Sequence, residues 1–341
     1  MIQQAIHKLL ERTHLTHEEA FGAMHSIMSG DASDAQIGAF LIAMRMKGEQ
    51  AHEIAGFAKA MQQKAHPVTV DRLGEALDIV GTGGDGKHTF NISTIAALVA
   101  AGAGIPVAKH GNRSVSSKCG SADVLRELGV NIDLEPLQMT RCVNEVGIAF
   151  LFAPRLHPAM KYAIGPRREI GARTVFNILG PLTNPAGVRR QLIGAYNREL
   201  AKLMASVFRE LGTEHTLVVH SSDGMDEISL AAPTHVFELR HGDIAEYEID
   251  ATTFGATPSN DSLEGGDAKD NAAIALKILN GETGPRRDVV VMNAAAGIYV
   301  AGKADSLATA ADLARHSLDS GAALAKLEAL GKLTQEMSEE E

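Results

Sequence analysis

Residues 81–94 read Gly81-Thr82-Gly83-Gly84-Asp85-Gly86-Lys87-His88-Thr89-Phe90-Asn91-Ile92-Ser93-Thr94, a stretch dense in glycines, hydroxyls and amides. The short apolar run Leu77, Ile79, Val80 before it predicts a buried strand, and the alanine-rich run from Ile95 to Ala103 predicts a helix after it. Glycines let a ligand approach the backbone, and the free N–H groups at a helix start favour anions. The chemistry implied is recognition of a phosphorylated small molecule. Asp85 inside the cradle would repel a bare polyphosphate, so the ligand is expected to arrive with a metal ion.

Two generic motifs overlap this loop and neither is complete. Gly81, Gly83 and Gly86 have the spacing of a dinucleotide fingerprint, but no acidic residue closes the next strand, where Val107-Ala108 runs into Lys109. Gly81, Gly86 and Lys87 satisfy most of a nucleotide P-loop, but His88 stands where a magnesium-binding hydroxyl belongs.

A second loop, His110-Gly111-Asn112-Arg113-Ser114-Val115-Ser116-Ser117-Lys118-Cys119-Gly120-Ser121, follows the predicted strand Val107–Lys109. It gathers Lys109, Arg113, Lys118 and several hydroxyls at one sheet edge, a set suited to pyrophosphate; a solvated basic loop is the plainer alternative. A third segment, His220-Ser221-Ser222-Asp223-Gly224-Met225-Asp226-Glu227, also follows an apolar run. Magnesium takes one or two carboxylates plus substrate phosphate oxygens, and Asp226 with Glu227 would supply them where Gly224 frees the backbone from strand geometry. A solvent-exposed acidic turn is the alternative. Its His, Ser and Asp are too close in sequence for triad geometry.

These loops need a scaffold, and the pattern supplies one. Thr16 with Glu19, and Ser33 with Gln36, are capping boxes; Gly30 and Gly48 close the helices they open, and Ile54, Phe57, Ala58 and Met61 repeat at helical spacing until Pro67. About four helices therefore precede Leu77, with Met24, Met28, Met44, Met46 and Met61 assigned to their core. Strands are predicted at Leu77–Val80, Val107–Lys109, Ile148–Phe152, Gln191–Gly194, Leu217–His220 and Val236–Leu239, separated mostly by helix-length stretches. The result is an α/β fold: a small helical N-terminal domain plus a larger α/β domain with a largely parallel central sheet. Its ligand belongs at the carboxyl ends of the strands. Val289–Val300 is read as helix, Ala304 to about Leu333 as a closing helical region, and Ser338–Glu341 as a frayed end.

Composition narrows the function. A net charge of −10 and 4% aromatic residues supply neither the basic surface nor the stacking platforms of a nucleic-acid binder. No apolar run reaches the roughly twenty residues of a membrane span. Gln3, Gln4, His7 and Lys8 leave no signal-peptide core, so a soluble cytoplasmic protein is expected. Cys119 and Cys142 are too few for a disulfide framework; Cys142 reads as core, and Cys119 has no visible base to make it reactive.

Taken in order, Gly81 to Asp85, Asn91 to Thr94, Lys109 to Ser114, Arg173-Thr174-Val175-Phe176-Asn177-Ile178-Leu179-Gly180-Pro181-Leu182 and Asp223 to Glu227 resemble the motifs of the anthranilate phosphoribosyltransferases of tryptophan biosynthesis, over nearly the whole chain. The resemblance implies a fold shared with pyrimidine nucleoside phosphorylases, with a helical domain over 1–69, the segment 162–182 packing against it, and the α/β domain over 70–341. It implies a homodimer joined through the helical domains. Gly81, Gly84, Asp85, Thr89, Asn91, Ile92, Ser93, Thr94, Lys109 and Ser121 would bind 5-phosphoribosyl 1-pyrophosphate, and the loop carrying His110, Gly111, Asn112, Arg113, Ser114, Val115, Ser116 and Ser117 would close over it. Ser93 and Glu227 would hold one magnesium ion, and Asp226 with Glu227 a second. Gly81, Asn112 and Arg167 would contact anthranilate, Arg167 answering its carboxylate. Lys109, Asp226 and Glu227 would stabilise the leaving group, with no general base evident and a structural role expected for His110. Met225 stands where leucine is commoner in the family, a harmless exchange. Two other proteins of this fold differ in checkable ways: a pyrimidine nucleoside phosphorylase should lack Asp226-Glu227 and the Lys109, Asn112, Arg113 set, and a nucleic-acid-binding relative needs a basic groove.

Overall fold

The computed structural model describes residues 1–113 and 119–339, without the side chain of residue 339. Four helices open it: α1 (Ile2–Leu10), α2 (His17–Met28), α3 (Asp34–Lys47) and α4 (Ala51–Lys64). Both expected capping boxes are present, with Glu19 N donating to Thr16 Oγ1 at 3.2 Å and Gln36 N to Ser33 Oγ at 3.3 Å. Gly48 ends α3 at φ 89°, where a side chain would be strained. At this corner Lys47 Nζ reaches Glu53 Oε2 at 2.7 Å, while Glu53 also accepts from Leu15 N and Gln50 N, so a fully buried carboxylate is paired and hydrogen-bonded. Met24, Met28, Met44 and Met61 are buried as expected, but Met46 is 74% exposed. Two residues past the buried Met44, it is turned about 200° around the helix and faces away from that core.

The sheet and its helices follow: β1 (Leu77–Gly81), α5 (Ile92–Gly102), β2 (Val107–Gly111), α6 (Ser121–Glu127), α7 (Pro136–Arg141), β3 (Ile148–Phe152), α8 (Ala153–Leu156), α9 (Lys161–Ile170), α10 (Phe176–Leu179), β4 (Arg190–Gly194), α11 (Arg198–Glu210), β5 (His215–Ser221), β6 (Thr234–Arg240) and β7 (Asp243–Ile249). Strand order is β3-β2-β1-β4-β5-β6-β7, parallel from β3 to β5 and antiparallel over the last two pairings. In the parallel part the strand ends are in register, with Gly81 opposite Gly194 and Gly111 opposite Phe152. Loops leaving β1, β2, β4 and β5 therefore emerge along one edge.

All six expected strands are present, and β7 is a seventh that the pattern did not announce. Only Ile249 of it is buried, and its charged residues face solvent at the sheet edge, so alternation is weak. Tyr247 secures it by donating to Glu238 Oε2 of β6 at 2.7 Å. The chain closes with α12 (Ala268–Leu279), α13 (Pro285–Val300), α14 (Leu307–Asp319) and α15 (Ala322–Glu339). The run at 289–300 is helical as read. The closing region is two helices parted at Gly321, and α15 continues through Ser338, where a frayed end was expected, because Thr334 and Met337 are still buried. Among the described residues no helix is long and apolar enough to cross a membrane.

One apolar core fills the sheet face under α5, α12, α13, α14 and α15. The other runs without a break from α1–α4 through Ala163, Phe176 and Leu179 to α11 and the opposite sheet face at Ile193, Val218 and Phe237. The helical bundle and segment 162–182 thus sit over the edge where the loops emerge.

Candidate active site

The glycine loop and the acidic turn are tied to each other. Gly83 N donates to Asp226 Oδ2 at 2.8 Å, Asp226 N to Asp85 Oδ2 at 3.4 Å, and Ser93 N to Glu227 Oε1 at 3.2 Å. Two glycines make this approach possible: a Cβ on Gly81 would lie 2.7 Å from Asp226 Oδ2, and one on Gly194 only 1.6 Å from the Asp226 carbonyl oxygen. Behind the turn, the buried Asn293 of α13 accepts from Ile228 N and donates to Ile228 O, both at 3.0 Å, gripping the residue after Glu227. Asp226 and Glu227 are accordingly half-buried and aimed inward, not an exposed acidic turn.

Beneath them lies Lys109. It belongs to β2 and is 3% exposed, so it is a buried amino group and not the loop cation that its place beside Arg113 suggested. Its Nζ donates to Ile79 O at 2.5 Å and to Ser93 Oγ at 3.4 Å. Burial lowers its pKa, while the charges of Asp78 and Glu227 pull it back up. Burial, reinforced by the Asp85 charge, raises Asp226 to about 7; burial and then Asp226 raise Glu227 to about 8. Asp78, fully buried in β1, is raised to about 6 by burial although Asn184 Nδ2 donates to it at 2.7 Å and His110 N at 3.1 Å. The charges of Asp78 and Glu227 thus act on Lys109, and that of Asp226 acts on Glu227. Among the described residues no three His, Cys, Asp or Glu side chains converge as a closed metal cage. An open set of hard oxygens next to phosphate-binding amides is the donor set of a cation that also binds phosphate, as magnesium does.

The other expected residues fall around this centre. Thr94 Oγ1 donates to Ser121 Oγ at 3.0 Å, joining the starts of α5 and α6, and Thr89 makes a β-bridge with Glu264. Ile92 is buried in the first turn of α5 and serves as core. Gly84 lies under Arg173, whose Nη2 donates to Gly84 O at 3.1 Å. Gly111 ends β2, and Asn112 and Arg113 are exposed beyond it, with the Arg113 guanidinium 5.7 Å from the Phe152 ring centre. Ser114, Val115, Ser116, Ser117 and Lys118 lie outside the described residues. Cys119 is buried, and burial raises its thiol pKa, which removes it from nucleophilic chemistry.

A second group faces the helical domain. Arg167 of α9 is half-buried with its guanidinium 5.0 Å from the Phe176 ring centre; Arg168 is exposed. His110 Nδ1 contacts Gly180 O at 3.1 Å, its ring lies 5.2 Å from that of His157, and the Nε2 atoms of both, with Thr174 Oγ1, are buried without a hydrogen-bond partner among the described residues. Burial lowers His110 to about 3 and His157 to about 4, so both are neutral at physiological pH. Sequence reasoning passed over Asp78, His157 and Asn293, and placed Arg173 in a motif without giving it a role. Only Asp78 carried a signal, a carboxylate between Leu77 and Ile79 in a run otherwise apolar.

Residues 73–324 match the glycosyl transferase family a/b domain, and residues 3–65 the helical bundle domain of the same family. The chain is 54% identical to anthranilate phosphoribosyltransferase of Pelotomaculum thermopropionicum over 99% of this chain and 98% of that one. It belongs to the anthranilate phosphoribosyltransferase family. The crystal structure of the Thermus thermophilus family member superposes with a TM-score of 0.92 at 42% identity, covering 97% of this chain and 99% of that one. The Saccharomyces cerevisiae anthranilate phosphoribosyltransferase in complex with PRPP and Mg gives 0.89 at 29%, and its complex with 4-fluoroanthranilate 0.87 at 28%, each covering 98% of both chains. These confirm the expected fold class, a helical N-terminal domain joined to an α/β domain with a mostly parallel sheet.

The raised carboxyls have a measurable cost in the free protein. Because the folded pKa of Glu227 lies above its unfolded value, the folded state keeps its proton longer, and stability falls as pH rises from about 4.5 to about 8. Glu227→Gln abolishes that loss. In chelator, the variant should melt above the wild type at pH 8, and the gap should close towards pH 4.5; thermal melts across that range check it.

Proposed function

We propose that this chain transfers the phosphoribosyl group of 5-phosphoribosyl 1-pyrophosphate to the amine of anthranilate, releasing pyrophosphate and forming N-(5'-phosphoribosyl)anthranilate, the second step from chorismate to tryptophan. The observation that carries the reading is the direct bonding of the acidic turn to the glycine loop, which makes one site of phosphate-binding amides and cation-binding carboxylates.

As the bond from ribose C1 to pyrophosphate stretches, positive charge grows on the sugar and negative charge on the leaving group. Two magnesium ions per chain fit the carboxylates, one at Ser93 and Glu227 and one at Asp226 and Glu227, and when bound they would neutralise the pyrophosphate oxygens. The chain supplies the rest. The backbone at Gly84 and the side chains and chain turn from Asn91 to Thr94 hold phosphate oxygens, with Asp85, Thr89 and Ser121 bordering them and the Lys109 amino group beneath. The segment that follows Gly111 at the end of β2 closes over the ligand. On the other side Gly81, Asn112 and Arg167 receive anthranilate, and Arg167 pairs with its carboxylate. The aromatic amine is nucleophilic when neutral, and His110 is too weak a base to take its proton. Orientation in line with C1 therefore does the work, and the protonated nitrogen formed by attack sheds its proton to water.

The homodimer is proposed on the exposed apolar side chains of the helical domain. Leu10 of α1 and Ile42 and Met46 of α3 are 68%, 38% and 74% exposed, with Ile42 and Met46 one turn apart on one helix face. Sedimentation equilibrium should give twice 36.1 kDa, and Met46→Glu should shift the intact protein towards monomer; a monomeric wild type at micromolar concentration refutes the pairing.

Anthranilate fluorescence tests the reaction. It should disappear only when 5-phosphoribosyl 1-pyrophosphate and magnesium are both present, and consumption that persists in excess chelator contradicts the metal-assisted scheme. For the acceptor side, Arg167→Ala should raise the Michaelis constant for anthranilate roughly tenfold, about 1.4 kcal/mol for a lost charge-assisted pair, and move that for 5-phosphoribosyl 1-pyrophosphate much less. An effect confined to the latter would place the acceptor elsewhere.

A further inference from the structure

Outside the three loops, one buried amide touches the phosphate site from behind. Asn271, in the first turn of α12, is 3% exposed. Its Oδ1 accepts from Gly266 N at 2.8 Å, and its Nδ2 donates to Asn91 Oδ1 at 2.9 Å. The segment before α12 is itself laced to the glycine loop: Phe90 N donates to Leu263 O at 3.1 Å and Gly265 N to His88 O at 2.9 Å. At its other side lies Cys119, where the second loop ends, whose thiol pKa Asn271 lowers against the effect of burial. One side chain therefore joins the glycine loop, the strap at residues 263–266 and the end of the second loop.

The direction of these bonds fixes more than position. A backbone N–H only donates, so the Asn271 atom facing Gly266 must be its carbonyl oxygen, and the atom facing Asn91 must be its NH2. Asn91 has to meet that donor with its own oxygen. Its NH2 is then turned the other way, and it makes no hydrogen bond among the described residues. At the N-terminal end of α5, where the helix already favours anions, an NH2 adds a donor, whereas the flipped amide would set an oxygen against a phosphate. Asn91's own side chain does not cap α5, which leaves it available to a ligand.

We propose that Asn271 is a positioning residue for the phosphorylated sugar: it locks the Asn91 amide in the orientation that presents NH2 to a phosphate oxygen. This rests on the proposed function, since it needs a phosphate ligand at the glycine loop. It predicts that binding of the phosphate substrate depends on Asn271 only through Asn91.

A double-mutant cycle separates that from a general structural role. In the full-length protein with magnesium, Asn271→Leu, which keeps the branched shape but can neither donate nor accept, should weaken 5-phosphoribosyl 1-pyrophosphate binding by calorimetry about tenfold or more, the range for a lost hydrogen bond to a charged group. The Michaelis constant for anthranilate should stay within about twofold. In an Asn91→Ala background the same change should cost less than about twofold. Equal losses in both backgrounds, or unchanged affinity in the single variant, overturn the proposal. Asn271→Ser carries the same cycle if the leucine variant does not fold. A wild-type protein that binds no 5-phosphoribosyl 1-pyrophosphate removes the proposed function itself, whereas one that binds it with a flat cycle removes only the role of Asn271.

Discussion

The site depends on a charge imbalance that the fold does not resolve by itself. Asp226 and Glu227 are brought together against the glycine loop and its Asp85, and burial with mutual repulsion holds the two carboxyl groups up at about 7 and about 8. Such crowding is unfavourable in a folded protein without a partner cation. It persists because the surrounding backbone leaves no alternative: Gly81 and Gly194 allow the acidic turn to press onto two strand ends, and Asn293 grips Ile228 from below. The protein thus stores, in its free state, a demand for cations that a magnesium-bearing pyrophosphate meets. Asp78 shows the same economy one layer deeper, where a buried carboxylate is held by an asparagine and a backbone amide beside Lys109.

Much of this architecture is legible in the sequence because it rests on local rules. Capping boxes at Thr16 and Ser33 mark helix starts whatever the tertiary context, and runs such as Ile148–Phe152 are buried on both sheet faces and so appear as unbroken apolar strings. Where the rule is not local, the reading stops. Strand β7 is an edge strand with one wet face, and its pairing to β6 depends on Tyr247 reaching Glu238. Met46 has the composition of a core residue and the phase of a surface one. For the site, glycines, hydroxyls and paired carboxylates announce phosphate and metal chemistry through residue type. That Lys109 is a buried amino group, that His157 meets His110, and that Asn271 addresses Asn91 across 180 residues are facts of folding, invisible in spacing.

The division of labour between the two sides of the cleft follows from their surroundings. The sheet side gathers glycines, hydroxyls and carboxylates at strand ends, a setting that suits a phosphate carried with a cation. Segment 162–182 contributes side chains in an apolar setting, Arg167 against Phe176 and two neutral histidines, which suits a flat aromatic acid with one charged group.

The continuous core beneath the helical bundle has a mechanical meaning. Apolar contacts run from α4 through Phe176 and Leu179 into α11 and the sheet at Ile193 and Phe237. Swinging the bundle away as a rigid lid would tear that core open and expose it to water, a far larger penalty than any single substrate contact repays. The walls of the cleft are in effect one casting. Separating those walls as rigid bodies would therefore carry the cost of the core they share.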